Sequence, residues 1–394
     1  MIALAGADVV LPDRVVRGGS IVIDNGRIAA IESRAIDAGS GHTVVDFAHH
    51  TIVPGFVDVH VHGIEGVDVL DGGDAVADVA QRLPKYGVTA FCPTSVACAP
   101  ARLTALLDGV ARARAAPRAR SARVLPAHLE SNFINPEWSG AQPMHCLRTY
   151  KPHGKRPEGD FAGHAILQAI VSNRPNVGIV TLAPEMAGGL DLVRDLVMAG
   201  HRVSLGHSGA TYQQAHDAIG LGAHHATHLF NRMSSMSSRS PGVVGAVLES
   251  DAVSAEIICD GHHVHPALVA VAIRAKSVSR MMAITDGTAV AGLPLGARAR
   301  LGDHTIIAGK KAAVLEDGTI AGSILTMDGA FRMLVQRVGL SLQDAARMCA
   351  TTPAGAISAA DIGAIAVGKW ADLTVLSRDL HVSRVYIAGE PAGN

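Results

Sequence analysis

The chain has 394 residues, 48% of them hydrophobic, enough to bury one large catalytic unit with a small companion. Its 34 basic and 35 acidic residues leave a formal net charge of −1, so the electrostatic case for nucleic acid or an anionic membrane surface is absent. Five scattered cysteines (Cys92, Cys98, Cys146, Cys259 and Cys349) form no Cys-x-x-Cys pair, which points to a reduced, cytoplasmic protein. No run reaches the roughly 20 apolar residues of a membrane helix, and the start, MIALAGADVVLPD, lacks the basic region of a signal peptide.

Residues 1–50 hold short β-branched runs (ADVVLPD, SIVIDNGRIAAIES, HTVVDFAHHTIVPG) broken by turn signals such as Asp24-Asn25-Gly26. From about 53 to 300, eight short apolar runs alternate with Ala-rich segments of helical period. The runs are FVDVHVH, TAFCPTS, VLPAHLE, VGIVTLAPE, HRVSLGHS, AHHATHLF, VSAEIICDG and RMMAITDG; helices are expected at AVADVAQRLPKYG, ARLTALLDGVARARA, GGLDLVRDLVMAG, TYQQAHDAIGLG and PALVAVAIRAKS. This alternation predicts an α/β fold, a (β/α)8 TIM-like barrel. After 300, β-like pieces (HTIIAGKKAAVLEDG) and a helix pair precede a β-rich end, and the longest expected loop is 131–162. We assign 1–50 and 305–394 to a small β-sandwich domain built from both termini, its C-terminal helices packing on the barrel. The barrel takes 51–304.

There are 20 His against seven Phe, four Tyr and two Trp, and many of the His fall where apolar runs end. In such barrels the active site lies at the C-terminal strand ends. The first run ends in His60-Val61-His62, two imidazoles on one face because strands have a period of two. The third ends in Glu130, the fifth in His207, the sixth in His225 and His228, the seventh in Asp260 with His262 and His263, the eighth in Asp286. Singly, each has an ordinary structural explanation: a hydrogen-bonded strand-end His, a solvated Glu130, an Asp286 that opens a turn before Gly287. Jointly they supply the imidazole and carboxylate donors that a zinc-like divalent ion takes, with a position left open for water. No GxSxG element suggests a serine hydrolase, and no GxGxxG or GxxxxGK[ST] loop suggests a nucleotide site.

PGFVDVHVHG, HLE, LAPE, GHSGAT, HLFN, DGHHVHP, TDG and DGTIAGSILTM occur in an order that resembles the N-acetylglucosamine-6-phosphate deacetylases of the amidohydrolase superfamily, over nearly the whole chain. The resemblance implies a metal-bearing barrel with a terminal β-sandwich, and hydrolysis of the acetamide of an amino sugar phosphate to acetate and the amine. By position, Glu130, His207 and His228 match the principal metal ligands, and His60 and His62 match the pair that holds a second metal in some members. The cofactor implied is a divalent metal, zinc by preference, one or two per chain. Asp286 matches the catalytic acid/base. Asn231, His263 and Arg239 match groups that contact the sugar phosphate, the Arg from the other subunit of a homodimer.

Three departures fall near the substrate. Gln142 stands where the family carries a His that polarises the substrate carbonyl, Arg232 replaces a small residue, and 143–160 is longer and more basic. They keep a second reading open, a deacylase for another N-acyl or N-formyl compound such as an unphosphorylated amino sugar or an N-acyl-D-amino acid. A dihydroorotase-type amidase is disfavoured because VGIVTLAPE lacks the bridging Lys of strand four, and a non-catalytic binding protein because no ligand is missing.

Overall fold

A computed structural model describes residues 1–37, 41–151 and 159–393. The eight apolar runs form the strands Phe56–Val61, Val88–Ser95, Ala127–Glu130, Val177–Leu182, Arg202–Leu205, His225–Ala226, Ser254–Ile258 and Met281–Ile284. Each pairs in parallel with its neighbour. They carry almost continuous Val, Ile, Leu and Ala because helices cover one face and the barrel interior the other; every residue of the first two is buried. The seam between the eighth and first strands closes at its C-terminal end. Asp286 N–H donates to His60 O (3.0 Å) and His62 N–H to Gly287 O (2.8 Å). Barrel closure and the meeting of Asp286 with the His60–His62 pair are therefore one event.

The five expected helices form, among them Tyr212–Gly220, which opens on a capping box between Thr211 and Gln214. Two more were not signalled. Gly163–Ser172 follows the long loop after the third strand. Gly242–Glu249 reads GVVGAVLE, a run of poor helix formers whose Val243, Val244, Ala246 and Val247 are buried, so packing overrides propensity. Beyond the eighth strand, Met327–Met333 packs Phe331 onto Phe56, ring centroids 5.4 Å apart.

Both termini enter one eight-stranded sheet. Its order runs Glu390–Ala392, Val382–Ile387, Leu373–Leu376, Thr51–Pro54, Ile2–Val10, Val15–Asp24, Arg27–Glu32, with Thr43–Asp46 beside Ile2–Val10. Leu4, Val9, Ile21, Ile28, Ile52, Leu373 and Tyr386 form its apolar core. A two-pronged ion pair from Arg123 to the buried Asp372 fastens this sheet to the barrel. Thr51–Pro54 belongs with the terminal strands, while Arg298–Leu301, His304–Ala308 and Ala313–Val314 form a three-stranded sheet of their own. That sheet lies at the barrel mouth, where Gly302 N–H donates to Asp68 (2.7 Å).

Candidate metal centre and active site

Glu130, His207 and His228 bring one donor atom each within 4.8 Å of one another, and His60, His62 and Asp286 do the same. All six are buried. Glu130 Oε1 lies 2.9 Å from His207 Nε2 and 2.8 Å from His228 Nε2, and the two nitrogens are 3.1 Å apart. Glu130 also faces the second cluster, Oε2 at 3.6 Å from His62 Nε2 and Oε1 at 3.7 Å from His60 Nε2. Asp286 Oδ1 is 3.2 Å from His62 Nε2 and 3.4 Å from His60 Nε2.

The backbone is strained to reach this arrangement. His207, His228 and Asp286 adopt φ of +49°, +32° and +49°, a region that non-glycine residues enter at a cost of order 1–3 kcal/mol each. Each follows the end of its strand, and the left-handed step turns its side chain over the barrel mouth.

The donor set fits a divalent cation. Three rings are fixed through Nδ1: His207 to Trp138 O (2.9 Å), His62 to Thr94 O (3.0 Å) and His60 to a Glu256 carboxylate oxygen (2.9 Å). Each therefore presents Nε2 to the centre, the orientation that outer hydrogen bonds impose on metal-binding imidazoles. Nε2 atoms only 3.1–3.2 Å apart need a proton or a cation between them to avoid lone-pair repulsion. Tetrahedral zinc with bonds of 2.0–2.1 Å would set its ligand atoms about 3.3 Å apart, close to the spacings around Glu130 Oε1.

The proton affinities follow from this crowding. Burial alone would discharge His62 and His228, yet Asp286 and Glu130 beside the first, and Glu130 beside the second, hold both up at about 9. Glu130 and Asp286 stay below the usual carboxylate range despite burial, because His207 acts on the one and His60 and His62 on the other. His60 is pushed down to about 4 by burial. The carboxylates thus demand positive charge at the centre, as imidazolium protons or as a cation that displaces them.

Beneath the centre lies a polar layer that sequence reasoning missed. Glu256, fully buried and pushed up to about 7 by burial, orients His60. Asp58 accepts from Thr285 Oγ1 at 2.6 Å. His128 Nε2 meets Thr181 Oγ1 (2.8 Å), which continues through Thr227 to Ser204. The available signal was a lone polar residue inside an apolar strand, as in SAEII.

The centre opens into a cavity of about 410 Å³ lined by Gln142, Asn231, Arg232, His262 and His263, together with Glu130 and Asp286. Gln142 is held at both ends: Ala97 N–H donates to its Oε1 (2.7 Å), and its Nε2 donates to Glu130 Oε2 (2.5 Å). The Arg232 side chain makes no hydrogen bond or ion pair among the described residues, and Gly140, at φ +63°, lets it pass; a Cβ there would sit 2.8 Å from its Nε. His263 Nδ1 bonds to Asp260 (2.6 Å), while its Nε2 is buried with no partner. Arg239 is exposed and outside this cavity. His225, expected with the strand-end ligands, begins its strand instead and bonds to Ala356 O at the opposite end of the barrel. Much of the basic 143–160 segment (152–158) lies outside the described residues.

Residues 51–392 match the model of the amidohydrolase family. The chain belongs to the amidohydrolase family. Among curated amidohydrolase relatives, it is 32% identical over 378 residues to the N-acetylglucosamine-6-phosphate deacetylase of Bacillus subtilis, covering 95% of this chain and 92% of that one. It is 35% identical to the human enzyme of that name (98% and 93% covered). It is 33% identical to the N-acetylgalactosamine-6-phosphate deacetylase of Escherichia coli O157:H7 (94% and 93%). The solved N-acetylglucosamine-6-phosphate deacetylase of Pasteurella multocida superposes with a TM-score of 0.89 at 29% identity, covering both chains fully. A mutant of the Mycobacterium smegmatis deacetylase in complex with N-acetyl-D-glucosamine-6-phosphate gives 0.88 at 31%, with 99% and 98% covered.

Replacing Glu256 by Ala in this amidohydrolase should weaken divalent-metal binding about 10–100-fold, read by metal titration. Glu256→Gln, which keeps an acceptor for His60, should recover most of it; unchanged affinity in Glu256→Ala would contradict the supporting role.

Proposed function

We propose that the chain removes the acetyl group from an N-acetylated amino sugar phosphate of the N-acetylglucosamine 6-phosphate type, releasing acetate and the amino sugar. The observation that carries the reading is the position of Asp286: a buried carboxylate beside His60 and His62, lining the same cavity as Glu130, His207 and His228. A bound divalent cation, zinc by the nitrogen and oxygen character of the donors, brings the pKa of a water from 15.7 to about 7 and polarises the amide carbonyl.

Glu130, His207 and His228 would hold that ion, and His60 and His62 offer a second position across Glu130. Asp286 accepts the proton of the attacking water at a carboxylate oxygen. It then returns the proton to the amide nitrogen as the C–N bond breaks, so the amine leaves neutral. Gln142 spends one Nε2 hydrogen on Glu130 and has a second to offer the substrate carbonyl. Unlike a His, it cannot become a cation.

At the far wall, Asn231, His263 and Arg232 form the anion end, where the unpartnered guanidinium suits a phosphate. Arg239, outside its own cavity, has the placement of a group serving a second subunit, which supports a homodimer. The five free, buried cysteines support a cytoplasmic location.

Asp286→Asn should keep its metal and lose about 10²–10⁴-fold in kcat; turnover at the parent rate would overturn the acid/base role. A panel of N-acetylglucosamine 6-phosphate, its galacto and manno isomers, the unphosphorylated sugars and N-acyl-D-amino acids tests the substrate. The phosphorylated sugars should be preferred, and Arg232→Ala should raise KM for them alone. Turnover confined to the unphosphorylated sugars or the N-acyl-D-amino acids would replace this reading by the broader deacylase.

A further inference from the structure

At the opposite end of the barrel, a second open cavity of about 470 Å³ is lined by His201, Arg202, His224, His225, Ser254 and Arg280, with Gly355, Ala356 and Ser358 of the C-terminal segment along one side. These residues begin the fifth, sixth and seventh strands and immediately precede the eighth. His207, His228 and Asp286 follow the other ends of the fifth, sixth and eighth strands. No carboxylate lines this cavity among the described residues. Burial pushes the Lys276 amine down to about 8, and Asp251, next to the lining residue Ala252, partly offsets this.

The positive groups are arranged for use. Arg202 fixes its guanidinium by donating from Nε to Ala356 O (2.9 Å) and from Nη2 to Ser358 Oγ (2.7 Å), leaving Nη1 uncommitted. Arg280 is exposed and makes no side-chain hydrogen bond or ion pair among the described residues. In the wall, His201 Nε2 and His225 Nδ1 are buried with no hydrogen-bond partner among the described residues. Burial, then the neighbouring His224, His128 and Arg202, push His225 down to about 3. A concave wall with two guanidiniums and no lining carboxylate among the described residues focuses positive potential into the cavity, and the imidazoles of His201 and His225 add hydrogen-bonding groups.

We propose that this cavity is a second ligand site that takes a small phosphate-type oxyanion, free or as a phosphomonoester, with Arg280 and Arg202 as its charged clamp. Its volume falls within the range of small-molecule sites and exceeds what a free phosphate fills. The guanidinium geometry suits oxyanion oxygens. The proposal rests on these residues alone and is independent of the substrate of the active site.

The test is calorimetric titration of the metal-loaded, full-length chain with inorganic phosphate and, separately, with glucose 6-phosphate. Arg280→Glu should weaken one binding event per chain at least tenfold and leave kcat and KM of the hydrolytic reaction unchanged; Arg280→Lys should retain it. Tighter binding of the ester assigns the occupant as a phosphomonoester, and equal binding assigns the free oxyanion. Absence of any phosphate binding by the parent chain would overturn the proposal, as would isotherms of Arg280→Glu that superimpose on those of the parent.

Discussion

Glu130 is the buried carboxylate on which the barrel mouth depends. It touches His207 and His228 at hydrogen-bonding distance and faces His60 and His62 within 3.7 Å. An ionised carboxylate in that position is tolerable only if positive charge and fixed donors surround it. The surroundings provide both, through four imidazoles, the Gln142 amide and rings tethered by Trp138, Thr94 and Glu256. The same requirement explains why the closing seam, the strained strand ends and the polar layer below all converge on one point.

This arrangement divides labour between strand ends and strand interiors. The ends carry groups that face the cavity and pay for it in left-handed backbone at His207, His228 and Asp286. The interiors carry groups that only orient others, Glu256 on His60 and the His128–Thr181–Thr227–Ser204 chain below. Rigid parallel strands on both sides hold these contacts, so precision at the centre is inherited from barrel packing rather than from the loops. The substrate contacts we propose lie elsewhere, on the loop carrying Gln142 and the turn carrying Arg232.

Much of this was legible in the sequence because strand-end residues are marked by the end of an apolar run. Glu130, His207, His228, the His60–His62 pair and Asp286 all sit at such marks, and the structure brings them together. Glu256 and His128 were not legible because a polar residue inside an apolar run gives no sign of its partner on another strand. His225 was misplaced for a related reason: HATH puts two imidazoles three residues apart, but the strand ends at Ala226 and the chain turns at His228. The helix Gly242–Glu249 was invisible to propensity since its Gly and Val are helical only through burial. The membership of Thr51–Pro54 in the terminal sheet depends on long-range pairing with both chain ends, which periodicity cannot register.

The central claim is that this centre hydrolyses an amide only when a divalent cation completes it. The direct measurement is acetate release from N-acetylglucosamine 6-phosphate by the chelator-stripped chain before and after reloading with stoichiometric zinc. The account predicts turnover that falls to background on stripping and returns on reloading. Turnover unaffected by removal of the metal, or no acetate from a fully reloaded chain, would contradict it.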